Sequence, residues 1–522
     1  MITRKKSLIY VFLLAITFLT AVSIYFSFKK YSNFEFGKFD LGNMNQMLHN
    51  SSRGNFMEIT DYYGSNVSRF SMSHVDFSIM LLIPFHYIFS DAFFLVVFQR
   101  ILFFATSLIF FVICRKLKYS LFESMLISLL VFLMPISGFN LINASFHPLI
   151  FSLFFVPVVY LFATRRAQIL GFDKVIILVS FLIILFSKEE LGLVMACFSL
   201  FLIFKRKKYY KFFATLFTIS LFWSLFSIFY LIPLFDYQRI TSLQNFLSEM
   251  QIEPSSIKLD IEGENYFLYR YKNLGDSYQT IVKNLIIQPN LIFEPLLKKE
   301  SLATLMQLFS PVFFVFVVNP FLFLSILPEI FIHGLSGSGE IFSIQNHRLT
   351  IIIPLLIISL IEFLNVVRIK RPKIVLPFLC ILFLYNVYIS LNLKSPLLYL
   401  TYDKILSILN RKVFANEEGN DSNFLVSQEQ CANKILSLIP KDSSLSGPQI
   451  FGAKTSNRQI NALFPSAISK VDYIVIDINE KKLANNLGIS SEKLTEKALT
   501  YLNNGDYRIL YSCNSFTLIS KK

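Results

Sequence analysis

Long apolar stretches dominate the first three quarters of the chain, separated by short polar or basic segments. A membrane-spanning helix needs about 20 mostly apolar residues, with a range of roughly 17–25. We therefore predict a mainly α, polytopic membrane protein with about 11 transmembrane helices in a transmembrane domain at residues 1–393. The predicted spans are Leu8–Phe28, Asp91–Ile113, Leu121–Ser137, Leu149–Ala163, Lys174–Ser187, Leu191–Phe204, Phe212–Leu234, Leu302–Val318, Pro320–His333, Leu349–Val367 and Ile374–Leu391.

Basic clusters nearly free of acidic residues set the predicted orientation. They stand at residues 4–6, 115–118, 165–166, 205–211 and 368–373, whereas the loops 29–90 and 235–301 mix acidic and basic residues. Because cytoplasmic loops carry an excess of Lys and Arg, we expect a cytoplasmic N-terminus and both long loops outside.

Two apolar segments do not fit a simple pass. Phe77–Ser90 has only 14 residues, about 21 Å of helix, so we expect an interfacial or re-entrant helix on the outer face. Pro320 and Pro328 interrupt the apolar run that ends at His333, so that pass is a candidate for two half-helices.

The sequence becomes polar from about residue 394, and helical and strand patterns alternate to its end. Predicted strands are Ser443–Ser446, Val471–Asp477, Tyr507–Tyr511 and Phe516–Ile519, and predicted helices are Lys404–Asn410, Gln428–Leu438 and Ser490–Asn503. This alternation predicts a small extracytoplasmic α/β domain at residues 394–522. Cys431 and Cys513 both fall in it, and the sequence leaves open whether they pair.

Composition supports these assignments and excludes several classes of protein. Hydrophobic residues make up 54% of the chain and charged residues only 16%, which would expose large apolar patches on a soluble protein. The net charge of +15 indicates membrane orientation rather than nucleic-acid binding. Walker A, GxGxxG, HExxH and GxSxG patterns are absent from the sequence, which argues against ATP-driven transport, dinucleotide chemistry and zinc proteolysis.

Asp40 is the first candidate catalytic residue, because it lies about a dozen residues beyond the first span. If residues 40–52 are helical, Leu41, Met44 and Leu48 form an apolar stripe and Asp40 lies on another face. Asp40 is then directed toward an outer cavity as a base, or it merely caps the helix. Gln46 of the same segment is a candidate substrate-binding residue.

The segment Ser187–Glu190 is the strongest single feature, because it interrupts an apolar hairpin whose two arms are each only about 14 residues long. The short arms place Glu189 and Glu190 in a recess below the membrane surface, where carboxylates are usually functional. The alternative is a solvated turn. The other polar residues predicted for this recess are His74, Gln99, Arg100, Lys188, His347 and Arg348 for substrate binding and His147 with Glu189 for a divalent metal ion, Mg²⁺ or Mn²⁺.

Several of these motifs resemble the bacterial family of membrane proteins known as domain of unknown function 2079. The matching segments are Phe39–Gly42 with Gln46, His74 with Pro84, Phe146–Pro148, Lys188–Glu190, Arg270–Gly275, His347, Ile439–Ser443, Asn457–Arg458 and Val471–Tyr473. Glu190 stands where the family pattern has Asp. The resemblance covers most of the chain and implies a bacterial cytoplasmic membrane.

That family in turn resembles the GT-C superfamily of membrane glycosyltransferases, which place a catalytic Asp in the first outer loop, where Asp40 stands. The resemblance implies transfer of a sugar from a polyprenyl-phosphate-linked donor to a cell-envelope acceptor, with inversion. Asp40 would be the general base, and Glu189 and Glu190 would be catalytic or metal-binding. An ion-coupled transporter or lipid flippase using the same recessed carboxylates is the alternative, and an envelope scaffold is a third.

Overall fold

Helices form most of the computed structural model, which describes residues 2–251, 268–336, 339–409, 421–477, 491–503 and 505–522. Its α-helices are α1 (Ile2–Ser32), α2 (Asn43–Ser52), α3 (Ile83–His86), α4 (Phe93–Lys116), α5 (Leu121–Leu133), α6 (Pro135–Ile142), α7 (Phe151–Thr164), α8 (Gly171–Leu185), α9 (Leu191–Lys205), α10 (Tyr210–Phe226), α11 (Asp236–Met250), α12 (Tyr278–Ile287), α13 (Asn290–Leu296), α14 (Lys299–Phe309), α15 (Pro320–Gly334), α16 (Ile352–Lys370), α17 (Pro372–Asn392), α18 (Pro396–Leu409), α19 (Asp421–Leu438) and α20 (Ser491–Asn503). Residues 252–267 of the predicted loop 235–301, and the predicted helix ends Asn410 and Ser490, lie outside the described residues.

Five helical segments are long and apolar enough to cross a membrane, and α5 with α6 makes a sixth if this pair, bent by 53°, counts as one span. α7, α9 and α15 are apolar but shorter. The expected number of about 11 spans is therefore not reached by length and composition in the described residues. Several apolar runs form shorter helices than expected, because a proline or a residue with extended backbone interrupts the helix. Met134, with a ψ of 137°, separates α5 from α6 in this way.

One predicted pass and the predicted interfacial or re-entrant helix have a different local structure. The run Leu302–Val318 is not one helix, because α14 ends at Phe309 and two short 3₁₀ turns follow it. The segment after Asp76 forms a 3₁₀ turn (Phe77–Leu82) and the single-turn α3 instead of one long helix. Pro320 begins α15, and Pro328 lies inside that helix without ending it.

The hairpin of α8 and α9 has the short arms that the sequence predicts, with 15 residues in each helix. α9 packs against α10 and α15, and glycine permits the close approach to α10. A Cβ atom on Gly192 would lie 2.4 Å from the Ser220 carbonyl oxygen and 2.7 Å from the Ser224 hydroxyl. The turn between α8 and α9 is therefore held at a fixed distance from α10.

The C-terminal domain is built on a five-stranded sheet in the order β4-β3-β5-β7-β6. Its strands are β3 (Leu445–Gly447), β4 (Asn461–Leu463), β5 (Tyr473–Asp477), β6 (Tyr507–Cys513) and β7 (Phe516–Lys521), whereas β1 (Glu58–Thr60) and β2 (Asn66–Ser68) form a separate hairpin. β3 is parallel to β4 and β5, and β7 is antiparallel to β5 and β6. The predicted strands are present, and Cys431 and Cys513 form a disulfide that ties α19 to the end of β6.

This domain packs directly on α2. The Asn45 amide donates to Ser456 Oγ and Asn457 Oδ1, both at 2.9 Å. A Cβ atom on Gly42 would lie 2.8 Å from the Gly452 carbonyl oxygen, so the two backbones touch. Residues 43–50 of α2 are all buried, because the domain covers the polar face of this helix.

Candidate functional site

A cavity of about 260 Å³ lies at the end of the helical bundle that carries the C-terminal domain, and it combines charged and apolar walls. Its charged lining comes from the α8–α9 turn and from two arginines, and its apolar lining comes largely from α12 and α15. The charged and ionisable lining residues are His74, Lys188, Glu189, Glu190, Arg270, Tyr271, His333 and Arg348. We call this the bundle cavity.

The α8–α9 turn brings Lys188, Glu189 and Glu190 into the bundle cavity, as the sequence predicts for a recess, and all three side chains are buried. The Lys188 ammonium and the Glu190 carboxylate form an ion pair. Glu189 Oε2 accepts the Val75 backbone N–H at 3.1 Å, and its carbonyl accepts the Ser224 hydroxyl. These contacts fix both carboxylates and exclude the alternative of a solvated turn.

Three of the predicted histidines are in contact with one another. His74 Nδ1 lies 3.1 Å from Glu189 Oε1. Its ring centroid is 5.9 Å from that of His147, and the His147 ring stacks on His347 at 4.7 Å. Burial and the charge of Arg69 hold the pKa of His74 well below its usual value, so this ring is neutral at pH 7. A neutral imidazole carries one N–H, and the carboxylate partner places it on Nδ1, which therefore donates a hydrogen bond to Glu189.

Arg69 and Asp76 form a second buried element beside this cluster, since Arg69 Nε donates to Asp76 Oδ2 at 2.8 Å. Burial raises the pKa of Asp76 to about 6, and the opposing charge of Arg69 limits the rise. This ion pair holds the loop that places His74.

Asp40 lies at the beginning of the same region, in a tight turn (Lys38–Gly42) that precedes α2. Its backbone has φ 59° and ψ −89°, a sparsely populated conformation that costs of order 1–3 kcal/mol and is common at functional sites. Its side chain is exposed, and its charge acts on His347 and Arg348. Gly42, not Asp40, is the N-cap of α2, so the capping interpretation is wrong.

The remaining cations of the bundle cavity are Arg270 and Arg348. Arg348 has no carboxylate within 4.0 Å among the described residues, and its Nε has no hydrogen-bond partner there. A guanidinium in this state is a ready donor for an anionic ligand. The neighbouring Tyr271 donates its hydroxyl to the Ile332 carbonyl at 2.6 Å, and burial raises its pKa to about 12.

One group among the described residues has metal-ligand geometry: Glu190, Glu329 and His333 each offer a ligand atom within 4.8 Å of the others. His333 Nε2 lies 3.1 Å from Glu329 Oε2, while Glu329 Oε1 is buried without a partner. The predicted metal ligands His147 and Glu189 are not in this group. They are joined instead through His74.

Four predicted substrate-binding residues, Gln46, Gln99, Arg100 and His347, lie outside the lining of the bundle cavity. The Gln46 amide is fully occupied by Thr60 and by carbonyl groups of the C-terminal domain. Gln99 donates to the Asn140 carbonyl at 2.9 Å, and Arg100 donates to Ser27 Oγ at 2.9 Å and to backbone carbonyls. Arg100 therefore neither points outward nor reaches the recess, because Ser27 and two backbone carbonyls hold its terminal nitrogens.

A family model for predicted membrane proteins (DUF2079) matches residues 30–518, which include the turn at Asp40, the bundle cavity and the C-terminal domain. The chain belongs to the DUF2079 family. No curated protein matches it. The DUF2079 match extends over the bundle and the domain together, so it covers the contact between α2 and the domain as well.

Sequence reasoning did not select Arg270, Glu329 or His333 of this DUF2079 protein as site residues. Glu329 and His333 are one helical turn apart in the apolar helix α15. An ionisable pair in an apolar helix is by default a candidate functional site, and that rule would have found them.

Proposed function

We propose that this protein transfers a glycosyl group from a polyprenyl-phosphate-linked donor to a hydroxyl of a cell-envelope acceptor, with inversion, at the outer face of the bacterial cytoplasmic membrane. The observation that carries the proposal is the two-sided bundle cavity. Its cations suit a phosphate, and its apolar walls suit the attached lipid.

The phosphate end is supported by Lys188, Arg270 and Arg348, which all line the cavity. Charge-assisted hydrogen bonds from Arg and Lys are the usual means of holding a phosphate. Such preorganised charge also stabilises the negative charge that develops on a leaving phosphate. Lys188 is already paired with Glu190, whereas Arg348 has no carboxylate within 4.0 Å among the described residues and its Nε has no hydrogen-bond partner there, so Arg348 is the stronger candidate.

The lipid end is supported by α12, which has apolar residues on two sides. Ile281 and Leu285 of this helix line the cavity, while Val282 and Ile286 are exposed. A helix that is apolar toward both the protein and its surroundings is suited to the membrane interface. A prenyl chain can therefore leave the cavity along α12.

Asp40 is the proposed general base. Its carboxylate accepts the proton of the acceptor hydroxyl, the hydroxyl oxygen attacks the anomeric carbon, and the bond from that carbon to the phosphate oxygen breaks. The polyprenyl phosphate leaves with the electron pair of that bond. The side chain is exposed to an incoming acceptor and lies within electrostatic range of Arg348 in the cavity wall, so base and phosphate site are neighbours.

A divalent cation, Mg²⁺ or Mn²⁺, would be held by Glu190, Glu329 and His333 and would add positive charge near the phosphate. These ligand atoms come within 4.8 Å of one another, and the buried, unpartnered Glu329 Oε1 suits a cation.

Ion-coupled transport is less well supported, because the buried residues of α16 between Ile352 and Ile361 are apolar apart from Ser359. Glu362 lies on the same helix and bonds to Tyr160 and Lys205, well over two turns from the nearest cavity residue. A relay through the membrane needs polar groups along the whole path, and α16 does not provide them.

The decisive experiment measures consumption of polyprenyl-phosphate hexoses, labelled in the sugar, by the protein reconstituted with native membranes as the acceptor source. Asp40→Asn should lower transfer by roughly 10²–10⁴-fold, the usual contribution of a general base. Asp276→Asn is the matched control, because Asp276 is exposed in the same predicted outer region and lies outside the site. Undiminished transfer by Asp40→Asn would remove the base assignment.

A further inference from the structure

A second cavity, of about 520 Å³, lies where the C-terminal domain meets α2 and the segment that follows α3. We call it the junction cavity. It shares no lining residue with the bundle cavity. Its walls come from the last turn of α2, from residues 86–91 and from residues 441–458 of the domain.

Positive charge predominates in the junction cavity. Four cationic side chains line it against two carboxylates, Asp91 and Asp442. Asp91 Oδ1 accepts the Phe93 N–H at 2.8 Å, and Asp442 lies 3.5 Å from one of the cations. The cations are Arg53, Lys441, Lys454 and Arg458.

Three of these cations, Lys441, Lys454 and Arg458, have no carboxylate within 4.0 Å among the residues that the structure describes. Arg458 is held in place by the Ser443 carbonyl at 2.6 Å and the Ser443 hydroxyl at 3.0 Å. Its Nε is buried without a hydrogen-bond partner in the described chain. This guanidinium is thus preorganised and incompletely satisfied.

Two buried imidazoles of the junction cavity are also incompletely satisfied. His49 Nε2 and His86 Nδ1 have no hydrogen-bond partner among the described residues, and the two ring centroids are 6.0 Å apart. Burial and the charge of Arg53 lower the pKa of His49 to about 4, so this ring is neutral at pH 7 and offers one N–H donor. Buried polar atoms normally find partners, and a ligand with several acceptor oxygens would supply them.

An exposed apolar band borders the junction cavity. It consists of Phe85, Tyr87, Ile88 and Phe89, whose exposed fractions lie between 48% and 72%. Tyr87 belongs to both features, because it also lines the cavity. In a membrane protein, exposed aromatic and aliphatic side chains of this kind lie at the lipid boundary.

We propose that the junction cavity binds the phosphate group of a membrane lipid whose acyl chains lie along the apolar band. A phosphate offers enough acceptor oxygens for Arg458, His49 and His86 together, and its charge matches the excess of cations. The apolar band favours a lipid over a soluble phosphate. This inference is independent of the proposed transfer reaction, because it involves a different cavity.

The test is photolabelling of the full chain in phosphatidylcholine nanodiscs. The probe is phosphatidic acid with a photoreactive acyl chain, and its control is phosphatidylcholine with the same chain. Crosslinked peptides are mapped by mass spectrometry, which separates labelling of residues 85–89 from labelling near the bundle cavity. We expect about tenfold more labelling of the band by the anionic probe, which corresponds to about 1.4 kcal/mol.

Arg53→Gln with Lys441→Gln should remove that preference, since both side chains are exposed and their loss leaves the fold intact. Lys298→Gln with Lys299→Gln removes the same charge from another exposed place and should keep the preference. Equal labelling by the two lipids, or labelling unchanged in the first double variant, would overturn the proposal.

Two further outcomes are decisive. If inorganic phosphate binds the protein in lipid-free detergent as tightly as phosphatidic acid does, the ligand is a soluble phosphate and the lipid assignment is wrong. Asp40→Asn should retain the labelling while losing transfer, so failure of the lipid site and failure of the proposed enzyme are distinguishable.

Discussion

Lys38 provides the sharpest test of the turn that carries Asp40. Its side chain is buried, and its Nζ donates to the Thr60 carbonyl at 2.8 Å. Burial lowers the pKa of Lys38 from 10.5 to about 7, and the nearby charge of Asp61 only partly opposes this. A difference of this size corresponds to about 5 kcal/mol between the protonated and neutral forms.

The sign of the pH dependence follows from the two states. Between about pH 7 and pH 10.5 the unfolded chain keeps the Lys38 proton while the folded chain has lost it. Because the unfolded state then binds more protons, the free energy of unfolding rises with pH, by about 2 kcal/mol between pH 7 and pH 9. Asp61 does not interfere, since burial raises its pKa only to about 6, and its contribution changes below this window.

The perturbation is Lys38→Met, and the assay is thermal unfolding of the purified protein from pH 7 to pH 9. The wild type should gain stability relative to the variant as the pH rises, by about 2 °C in Tm for a chain of 522 residues. Lys470→Met is the control, because Lys470 is exposed. The Tm of this variant should change with pH by the same amount as that of the wild type. If the difference in Tm between the wild type and Lys38→Met stays constant from pH 7 to pH 9, the assignment of a neutral buried lysine is refuted.

Three further predictions concern the positions that hold the site together. Gly192→Ala should lower stability by about 1–3 kcal/mol and reduce transfer by displacing the α8–α9 turn, whereas Gly171→Ala, with open space around its Cβ, should do neither in melting and transfer assays. Gly42→Ala should loosen the C-terminal domain, seen as faster proteolysis between bundle and domain, and Gly505→Ala, also open, is its control. Cys431→Ala removes a disulfide between residues 82 positions apart and should lower the free energy of unfolding by about 4 kcal/mol in the chain-entropy model. An unchanged melting temperature of the domain in this variant would contradict a stabilising role of the disulfide.

The sequence predicts those parts of the molecule that local patterns control. The short arms around Lys188–Glu190 follow from counting apolar residues. Four of the five strands of the C-terminal domain follow from alternation between turn residues, whereas the three-residue strand β4 was not predicted. The recess for Glu189 was predicted because two arms of this length cannot place their tip at the surface of a full-thickness membrane.

Contacts between distant segments could not be read in the same way. The apolar stripe of α2 indicates that one face is buried, but the pattern does not show that residues 449–459 cover the other face. The inward position of Arg100 depends on Ser27 of another helix, and one sequence does not reveal that pairing. Proline in an apolar run does not by itself show where a helix ends. Pro320 begins α15, but Pro328 lies inside this helix without ending it.

α2 connects the turn that carries Asp40 with the junction cavity. The turn at Asp40 precedes its first residue, and His49 lies in its last turn, so about 9 Å of helix separates the turn that carries the base from the junction cavity. The C-terminal domain contacts this helix through hydrogen bonds from Asn45 and through the close approach of the Gly42 and Gly452 backbones. Asp40 stands three residues before α2, and the domain contacts lie on this helix and on its N-cap, so we expect a shift of the domain to move Asp40 relative to Arg348. The domain is thus best understood as the element that sets the position of the proposed catalytic base.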